Sequence, residues 1–226
     1  MFLCRIKHKL KTMKKLNLFA MALGLGVILS SCGGGSNTEA TKTEENATTE
    51  TKTESAATNY NVNTAESNIR WEGGTAGVTV YSHFGDIKIK EGAVEVTDGN
   101  VTGGKIVVDM TTIEPKDEGY SEENTPADLV GHLSTGDFFL VEEFPTATFE
   151  VTGSEGNNVM GNLTIRGKSN PETIVLENVD FTEGGMTATG KLTFDRQKYD
   201  VKWAHYLKDV VLKDEIDLTF SLVASK

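Results

Sequence analysis

Apolar and polar residues alternate with a period of two through most of residues 59–226. In the last such run, Ile216, Leu218 and Phe220 are separated by single polar residues. Successive side chains of a strand point to opposite faces, so each run predicts a strand with one apolar and one polar face. Turn-forming glycines and asparagines separate the runs. About eight antiparallel strands at this spacing predict an all-β fold, either a sandwich or a closed barrel.

Small residues on the inward faces bear on what such a barrel contains. A barrel of about eight strands is either filled by its own side chains or holds one small ligand. Gly161, Ala188 and Gly190 lie in inward rows of the predicted strands. They would leave room for a ligand, but glycines in strands also serve to let a strand bend. Both interpretations remain open at this level.

One connection, over residues 114–145, is much longer than the others, and long connections are often functional lids. Residues 125–128 read Thr-Pro-Ala-Asp. This order is typical of a helix start with an N-cap threonine and a proline in the first turn, and it predicts a short helix from Pro126 to about Leu133. The aromatic residues that follow are expected to pack on one mouth of the barrel: Phe138 and Phe139.

The N-terminal segment predicts export. Starting from Met13, a lysine pair is followed by an apolar run over 16–29 and by small residues before Cys32. This order is that of a signal peptide, and the run is shorter than the ~20 residues that cross a bilayer as a helix, so we assign 1–31 to a signal peptide. Leu-Ser-Ser ahead of Cys32 resembles the bacterial lipobox, which implies a lipid such as palmitate on its sulfur. An ordinary signal with a chance cysteine is the alternative.

Composition divides the rest of the chain and limits its partners. Residues 32–58 are predicted to be a disordered linker, because 33–58 lack aromatic and large aliphatic side chains. The folded domain is assigned to 59–226, which is long enough for a single core. The chain carries 22 Lys and Arg against 33 Asp and Glu, a net charge of -11. Phosphate binding needs clustered basic residues, so a nucleic-acid partner is excluded.

The histidines do not form a metal or catalytic motif. His83, His132 and His205 are far apart in sequence, without the spacing that converging zinc ligands show. Asp128 and His132 are four residues apart on the predicted helix, which favours a helix-stabilising surface pair. We therefore predict no metal, no catalytic residue and no cofactor. An enzyme that uses His132 and nearby acids of the long loop is the alternative.

Several ordered motifs carry a family resemblance. Residues 132–139 read His-Leu-Ser-Thr-Gly-Asp-Phe-Phe, and 142–149 read Glu-Glu-Phe-Pro-Thr-Ala-Thr-Phe. Together they closely resemble the signature of the YceI-like, polyisoprenoid-binding family. Ser134 stands where the family often has a basic residue, and 73–92 follow the family only loosely. Further segments match its motifs in the same order: 82–85, 161–167 and 194–201.

The resemblance implies a lipocalin-like extended antiparallel β-barrel, exported from the cytoplasm, whose apolar lumen takes an isoprenoid lipid or a quinone tail. His83, Phe138 and Phe139 are then expected at the mouth. Arg166 and Arg196 are further candidates for a polar head group, although Arg196 with Asp195 would equally form a structural pair. The expected lining consists of Phe149, Val151, Leu163, Ile165, Leu192, Phe194, Leu218 and Phe220.

These expectations describe an envelope lipoprotein, anchored at Cys32 in the outer membrane and facing the periplasm, that sequesters or transports its ligand. An exposed edge or a barrel mouth would also support a homodimer. The main alternative is a filled barrel that acts only as an interaction module through its long acidic loop.

Overall fold

The computed structural model of the chain describes residues 55–78, 80–205, 207 and 209–226. The predicted signal peptide, Cys32 and almost all of the predicted linker lie outside these residues. No helix in the described part is both long and apolar enough to cross a membrane. The strands are β1 (Thr58–Val62), β2 (Asn68–Gly77), β3 (Ser82–Thr97), β4 (Asn100–Pro115), β5 (Thr146–Glu155), β6 (Asn158–Ile165), β7 (Lys168–Phe181), β8 (Gly185–Asp195), β9 (Val210–Leu212) and β10 (Glu215–Ser225).

The strands form a closed antiparallel barrel. Neighbours pair in the order β2-β3-β4-β5-β6-β7-β8-β10, and β10 pairs back with β2, from Asp217 opposite Glu72 to Ser221 opposite Asn68. β1 lies beyond the start of β2 and bridges the same two neighbours, β10 and β3. β9 pairs only with the far end of β2. The predicted all-β, lipocalin-like barrel of about eight strands is confirmed.

The long connection contains the predicted short helix. β4 continues to Pro115, and helix α1 covers Pro126–Ser134. Thr125 is its N-cap: the Thr125 hydroxyl accepts from the Asp128 backbone N–H, and the Asp128 carboxylate accepts from the Thr125 backbone N–H at 2.9 Å. The predicted pairing of Asp128 with His132 is therefore wrong, because the capping box engages the Asp128 carboxylate at the helix start.

The turn after α1 folds back against it. The backbone N–H groups of Phe139 and Val141 donate to the carbonyl oxygens of Leu133 and Ser134, at 3.0 and 2.9 Å. These bonds satisfy carbonyls that the helix end leaves without partners. These bonds direct the chain so that the Phe138 side chain is buried. Helix α1 itself lies at the end of the barrel where β5 begins.

Two inward glycines do not leave the space that their size suggests. A Cβ on Gly161 would lie 2.5 Å from the Phe149 ring, and one on Gly190 would lie 2.8 Å from the Phe220 ring. Each ring comes from the adjacent strand and covers the glycine backbone. The interpretation that these glycines open the lumen is therefore wrong, because aromatic side chains fill the volume above them. Ala188, in contrast, borders the lumen.

A Gly161→Ala substitution is expected to lower the free energy of unfolding by about 1–3 kcal/mol, because the added methyl group must displace the Phe149 ring and meets the Glu150 carbonyl 2.6 Å away. Urea denaturation measures the change. The matched control is Gly131→Ala in α1, where a Cβ meets nothing within 4 Å. That change should stabilise by up to about 1 kcal/mol. Equal effects of the two substitutions would contradict the packing described here.

Candidate ligand-binding site

Two cavities lie end to end along the barrel axis. The upper cavity, at the end that α1 borders, has a volume of about 230 Å³, and the lower cavity about 130 Å³. Their order follows the strands: on β10 the upper cavity contacts Ile216, the lower contacts Phe220, and both contact Leu218. The residues that both cavities share form a ring on five strands: Ile69, Val108, Ala147, Leu163 and Leu218.

The structure brings all of the predicted lining residues to this lumen. Ile165 and Phe194 border the upper cavity, and Leu163 and Leu218 border both. The remaining four border the lower cavity: Phe149, Val151, Leu192 and Phe220. The alternation thus predicted the inward faces of β5, β6, β8 and β10. That these side chains contact a ligand stays a prediction.

The lower cavity is almost wholly apolar, since Thr148 is the one residue of its described lining with a polar side chain. The upper cavity has an apolar wall of Val, Ile, Leu and aromatic residues and a few polar groups, among them His83, His132 and Arg196. The lumen therefore has an apolar inner end and a more polar outer end.

An aromatic cluster lies across the outer end. His132 of α1 meets Phe138 and Trp203 edge to face, with ring centroids 5.0 and 4.8 Å apart, and Phe138 lies 5.5 Å from Trp203. All three side chains border the upper cavity, as does Phe139. The predicted position of Phe138 and Phe139 at the mouth agrees with this geometry. Trp203 was missed, because it lies in an irregular segment where periodicity gives no signal.

Arg196 holds the segment that carries Trp203. Its side chain is 3% exposed, and its guanidinium donates to the carbonyl oxygens of Val201, Trp203 and Lys213, at 2.6, 3.0 and 3.0 Å. It also forms an ion pair with Asp214 at 3.0 Å. Asp195 interacts with Arg196 through charge only: its carboxylate accepts from the Gln197 backbone N–H, and the direct ion pair of Arg196 is with Asp214 instead. Arg196 is a structural clamp, and its donors are largely occupied.

Arg166 has a similar role, since it also binds backbone carbonyl groups of the segments near the mouth. It lies in the β6–β7 turn with a positive φ of 49°. Its guanidinium donates to the backbone carbonyl oxygens of Phe138 and Asp200, at 2.6 and 2.8 Å. The suggestion that Arg166 meets a head group is not supported by this geometry, because these bonds direct its charge at the protein backbone.

His83 belongs to a second polar cluster at the upper cavity. Its Nδ1 lies 2.8 Å from Asp117 Oδ2, and the ring stacks on Tyr120 with centroids 5.2 Å apart. The Tyr120 hydroxyl donates to Asp117 Oδ1 at 2.8 Å, and the Phe84 backbone N–H donates to the same oxygen at 3.3 Å. Asp117 and Tyr120 were missed because the loop acids gave no distinguishing spacing.

The contacts of Asp117 control its ionisation. Its side chain is 7% exposed, and burial alone would raise its pKa. Hydrogen bonds from His83, Tyr120 and the Phe84 backbone outweigh that effect and lower the pKa of Asp117. Burial, with the neighbouring Asp117 carboxylate, raises the pKa of Tyr120, so its hydroxyl retains the proton that it donates.

An Asp117→Asn variant is expected to change how stability depends on pH. A carboxylate whose pKa is lowered on folding adds stability above its ordinary pKa of about 4, and this contribution is lost as the pH falls through its pKa in the folded state. The difference in unfolding free energy between wild type and variant should therefore shrink below about pH 4. Denaturant titrations between about pH 3 and pH 7 measure it.

The control for this experiment is Glu118→Gln, which changes the next residue, an exposed carboxylate. Its effect should stay within about 0.5 kcal/mol at every pH. A difference between wild type and Asp117→Asn that is constant over the whole range would contradict the assigned role of the Asp117 carboxylate.

The described residues contain no group of three or more His, Cys, Asp or Glu side chains able to hold a metal ion. His132 Nε2 lies 3.3 Å from Asp137 Oδ2, an exposed carboxylate. A catalytic triad needs a nucleophile within hydrogen-bond reach of the histidine as well. In the described part of the chain, the His132 ring contacts the rings of Phe138 and Trp203 and this carboxylate.

Sequence comparison identifies the family. The family model of the YceI-like domain matches residues 60–224, which run from within β1 to the penultimate residue of β10. The chain belongs to the YceI-like family. All five segments of the resemblance noted above contribute to the upper cavity of this YceI-like barrel: 82–85 with His83, 132–139 with His132, Phe138 and Phe139, 142–149 with Ala147, 161–167 with Leu163 and Ile165, and 194–201 with Phe194, Arg196 and Val201.

Curated relatives match parts of the YceI-like domain. A UPF0312 protein of Staphylococcus aureus is 36% identical over 83 residues, which are 34% of this chain and 48% of the relative. A UPF0312 protein of Pseudomonas aeruginosa is 32% identical over 99 residues, 42% of this chain and 47% of the relative. The chain thus spans about half the length of these relatives.

Among solved structures, one superimposes well enough to show the same fold. BcnA of Burkholderia cenocepacia superimposes with a TM-score of 0.53 at 22% identity, over 73% of this chain and 99% of BcnA. At this identity the likeness shows the fold. A polyisoprenoid binding domain from Saccharophagus degradans has a TM-score of 0.48 at 12% identity, over 74% of this chain and 97% of the domain.

Proposed function

We propose that this YceI-like protein binds a long isoprenoid lipid, or the tail of a quinone, in the barrel lumen and sequesters or transports it in the bacterial envelope. The YceI-like barrel supports lipid binding in general. The observation that carries the finer proposal is the shape of the lumen: two largely apolar cavities lie end to end and share one ring of lining residues. An elongated, flexible chain fits this shape better than a compact ligand does.

The energy of binding comes from apolar burial. An isoprenoid chain has almost no polar atoms, and removing apolar surface from water contributes about 25 cal/mol per Å². The lower cavity can accept such a chain without placed polar groups, because its lining is apolar except for Thr148. Selectivity in that cavity should depend on chain length and width more than on chemical detail.

The proposal includes export and anchoring. A signal peptide over 1–31, a lipid on Cys32 and a linker over 32–58 would hold the barrel near the membrane from which such a ligand comes. The strongly acidic chain, with a net charge of -11, suits attachment through a lipid better than adsorption to an anionic bilayer. The outer membrane, the periplasm and the homodimer stay predictions.

The alternatives have less support. A filled barrel that serves only as an interaction module does not account for cavities of about 230 and 130 Å³. An enzyme that uses His132 would need a nucleophile or an activated water, and the contacts of His132 given above supply neither.

Native mass spectrometry tests the proposal. The full chain, with Cys32→Ser so that no anchor lipid is present, is expressed in bacteria and purified without detergent. A bound hydrophobic adduct is expected, and solvent extraction should release it as a polyprenyl chain or a quinone. A protein that carries no adduct, and that takes up none after incubation with isoprenoids, would overturn the proposal.

A further inference from the structure

The chemistry of the outer end of the lumen suggests which head group the ligand carries. His83 borders the upper cavity and is partly buried, with 24% of its side chain exposed. Tyr120 stacks on its ring with an interplanar angle of 17°, and Tyr81 meets the ring edge to face at 5.5 Å. These two rings and Asp117 fix the orientation of the imidazole.

The hydrogen bond between His83 and Asp117 determines which imidazole nitrogen of His83 carries the proton. The Asp117 carboxylate is surrounded by donors, from Tyr120 and from the Phe84 backbone, and its lowered pKa keeps it ionised near neutral pH. An ionised carboxylate only accepts hydrogen bonds, so His83 Nδ1 must carry the proton in this pair. In the neutral imidazole, Nε2 then has a free lone pair and acts as an acceptor.

The described lining of the upper cavity offers no arginine or lysine with free donors to an anion. Arg196 is the one arginine or lysine in the described lining of the upper cavity, and its guanidinium donates to three carbonyl groups and to Asp214. The ionised Asp117 behind His83 places a negative charge near the site. A phosphate head group would meet this charge without a free cation to offset it.

We propose that His83 Nε2 accepts a hydrogen bond from a terminal hydroxyl, so that the lumen selects long-chain primary alcohols over the corresponding ethers and phosphates. This inference rests on the proposed function, because it assumes that the alkyl chain occupies the lumen. His83 is the specificity-determining residue, and Asp117 is a positioning residue that fixes the tautomer.

The test compares geranylgeraniol with its methyl ether, which has the same chain but no donor, and with geranylgeranyl phosphate. The full chain is titrated with each probe, and quenching of Trp71 and Trp203, which both border the upper cavity, reports binding. A neutral hydrogen bond contributes about 1 kcal/mol. The alcohol is therefore expected to bind about fivefold more tightly than the ether, with the phosphate weaker than the alcohol.

Matched variants test whether His83 causes the preference for the alcohol over its methyl ether. In His83→Phe, which keeps an aromatic ring beside Tyr120, the ratio of the two dissociation constants should fall to about one. In His205→Phe, a histidine outside the described cavity lining, it should stay near fivefold. In Asp117→Asn the ratio of the two dissociation constants should also fall. The ¹⁵N spectrum of wild-type His83 should show a single tautomer with a protonated Nδ1, and the spectrum of the variant should lose this signature.

The outcomes separate this inference from the proposed function. Tight but equal binding of alcohol and ether by the wild type would overturn the role of His83 and leave lipid binding intact. Retention of the preference in His83→Phe, or tighter binding of the phosphate than of the alcohol, would also overturn it. Binding of no probe at all would overturn the proposed function itself.

Discussion

Replacement of Ala147 by phenylalanine should divide the lumen and prevent long chains from reaching the lower cavity. Ala147 has the smallest side chain in the ring that both cavities share, and it is 6% exposed. A phenyl group there would exclude roughly 100 Å² of ligand surface from burial, or about 2.5 kcal/mol. The affinity for a long polyprenol should fall by about 70-fold, whereas geraniol, which is short enough for the upper cavity, should bind nearly as in the wild type.

The control for this substitution is Glu150→Phe, which adds the same ring to an exposed position of the same strand. It should leave the affinity for both ligands unchanged. Displacement of a fluorescent prenyl probe gives the two affinities, and a thermal melt checks that each variant is folded. An Ala147→Phe protein that is folded and binds the long polyprenol as tightly as the wild type would contradict a continuous lumen.

Replacement of Arg196 by methionine is expected to cost about 3 kcal/mol of unfolding free energy. The change removes the donors to the carbonyl groups of Val201, Trp203 and Lys213. Val201 is fully buried, so water cannot easily replace the lost donor at its carbonyl group. Asp214 contributes less to the loss, because its side chain is half exposed and remains hydrated.

Urea denaturation of Arg196→Met is best compared with Arg70→Met. Arg70 is an exposed arginine whose guanidinium lies 3.8 Å above the Phe84 ring, and its loss should cost less than about 1 kcal/mol. If the two variants were equally stable, Arg196 would not be the clamp that holds the segment with Trp203 at the mouth.

The regular parts of the molecule could be predicted from sequence because each depends on a local rule. Alternation determines which face of a strand is apolar, and in a closed barrel that face has to point inward. This is why Leu163, Ile165 and Phe194 are found where they were expected. The capping signal at Thr125 likewise involves only residues of the same turn, and it predicted α1 correctly.

The contacts that were missed depend on pairs far apart in the chain. Gly161 is covered by Phe149 from the neighbouring strand, and the cost of a side chain there follows from the barrel register. His83 meets Asp117 across 34 positions of sequence. Arg166 reaches the Phe138 carbonyl across 28. No local pattern indicates such partners, so a motif can identify the residue without showing whether it binds a ligand or holds the fold.

The central claim, that one continuous apolar lumen binds an elongated chain, is tested most directly by affinity against ligand length. A graded series of isoprenoid alcohols, from geraniol to a long polyprenol, is titrated into wild type and Ala147→Phe. Each added isoprene unit that is buried removes roughly 100 Å² of apolar surface from water, so it should raise the affinity of the wild type by up to about 70-fold until the lumen is full. In Ala147→Phe the affinity should stop rising at a shorter isoprenoid chain length than in the wild type. An affinity that does not change with length in the wild type would contradict the account.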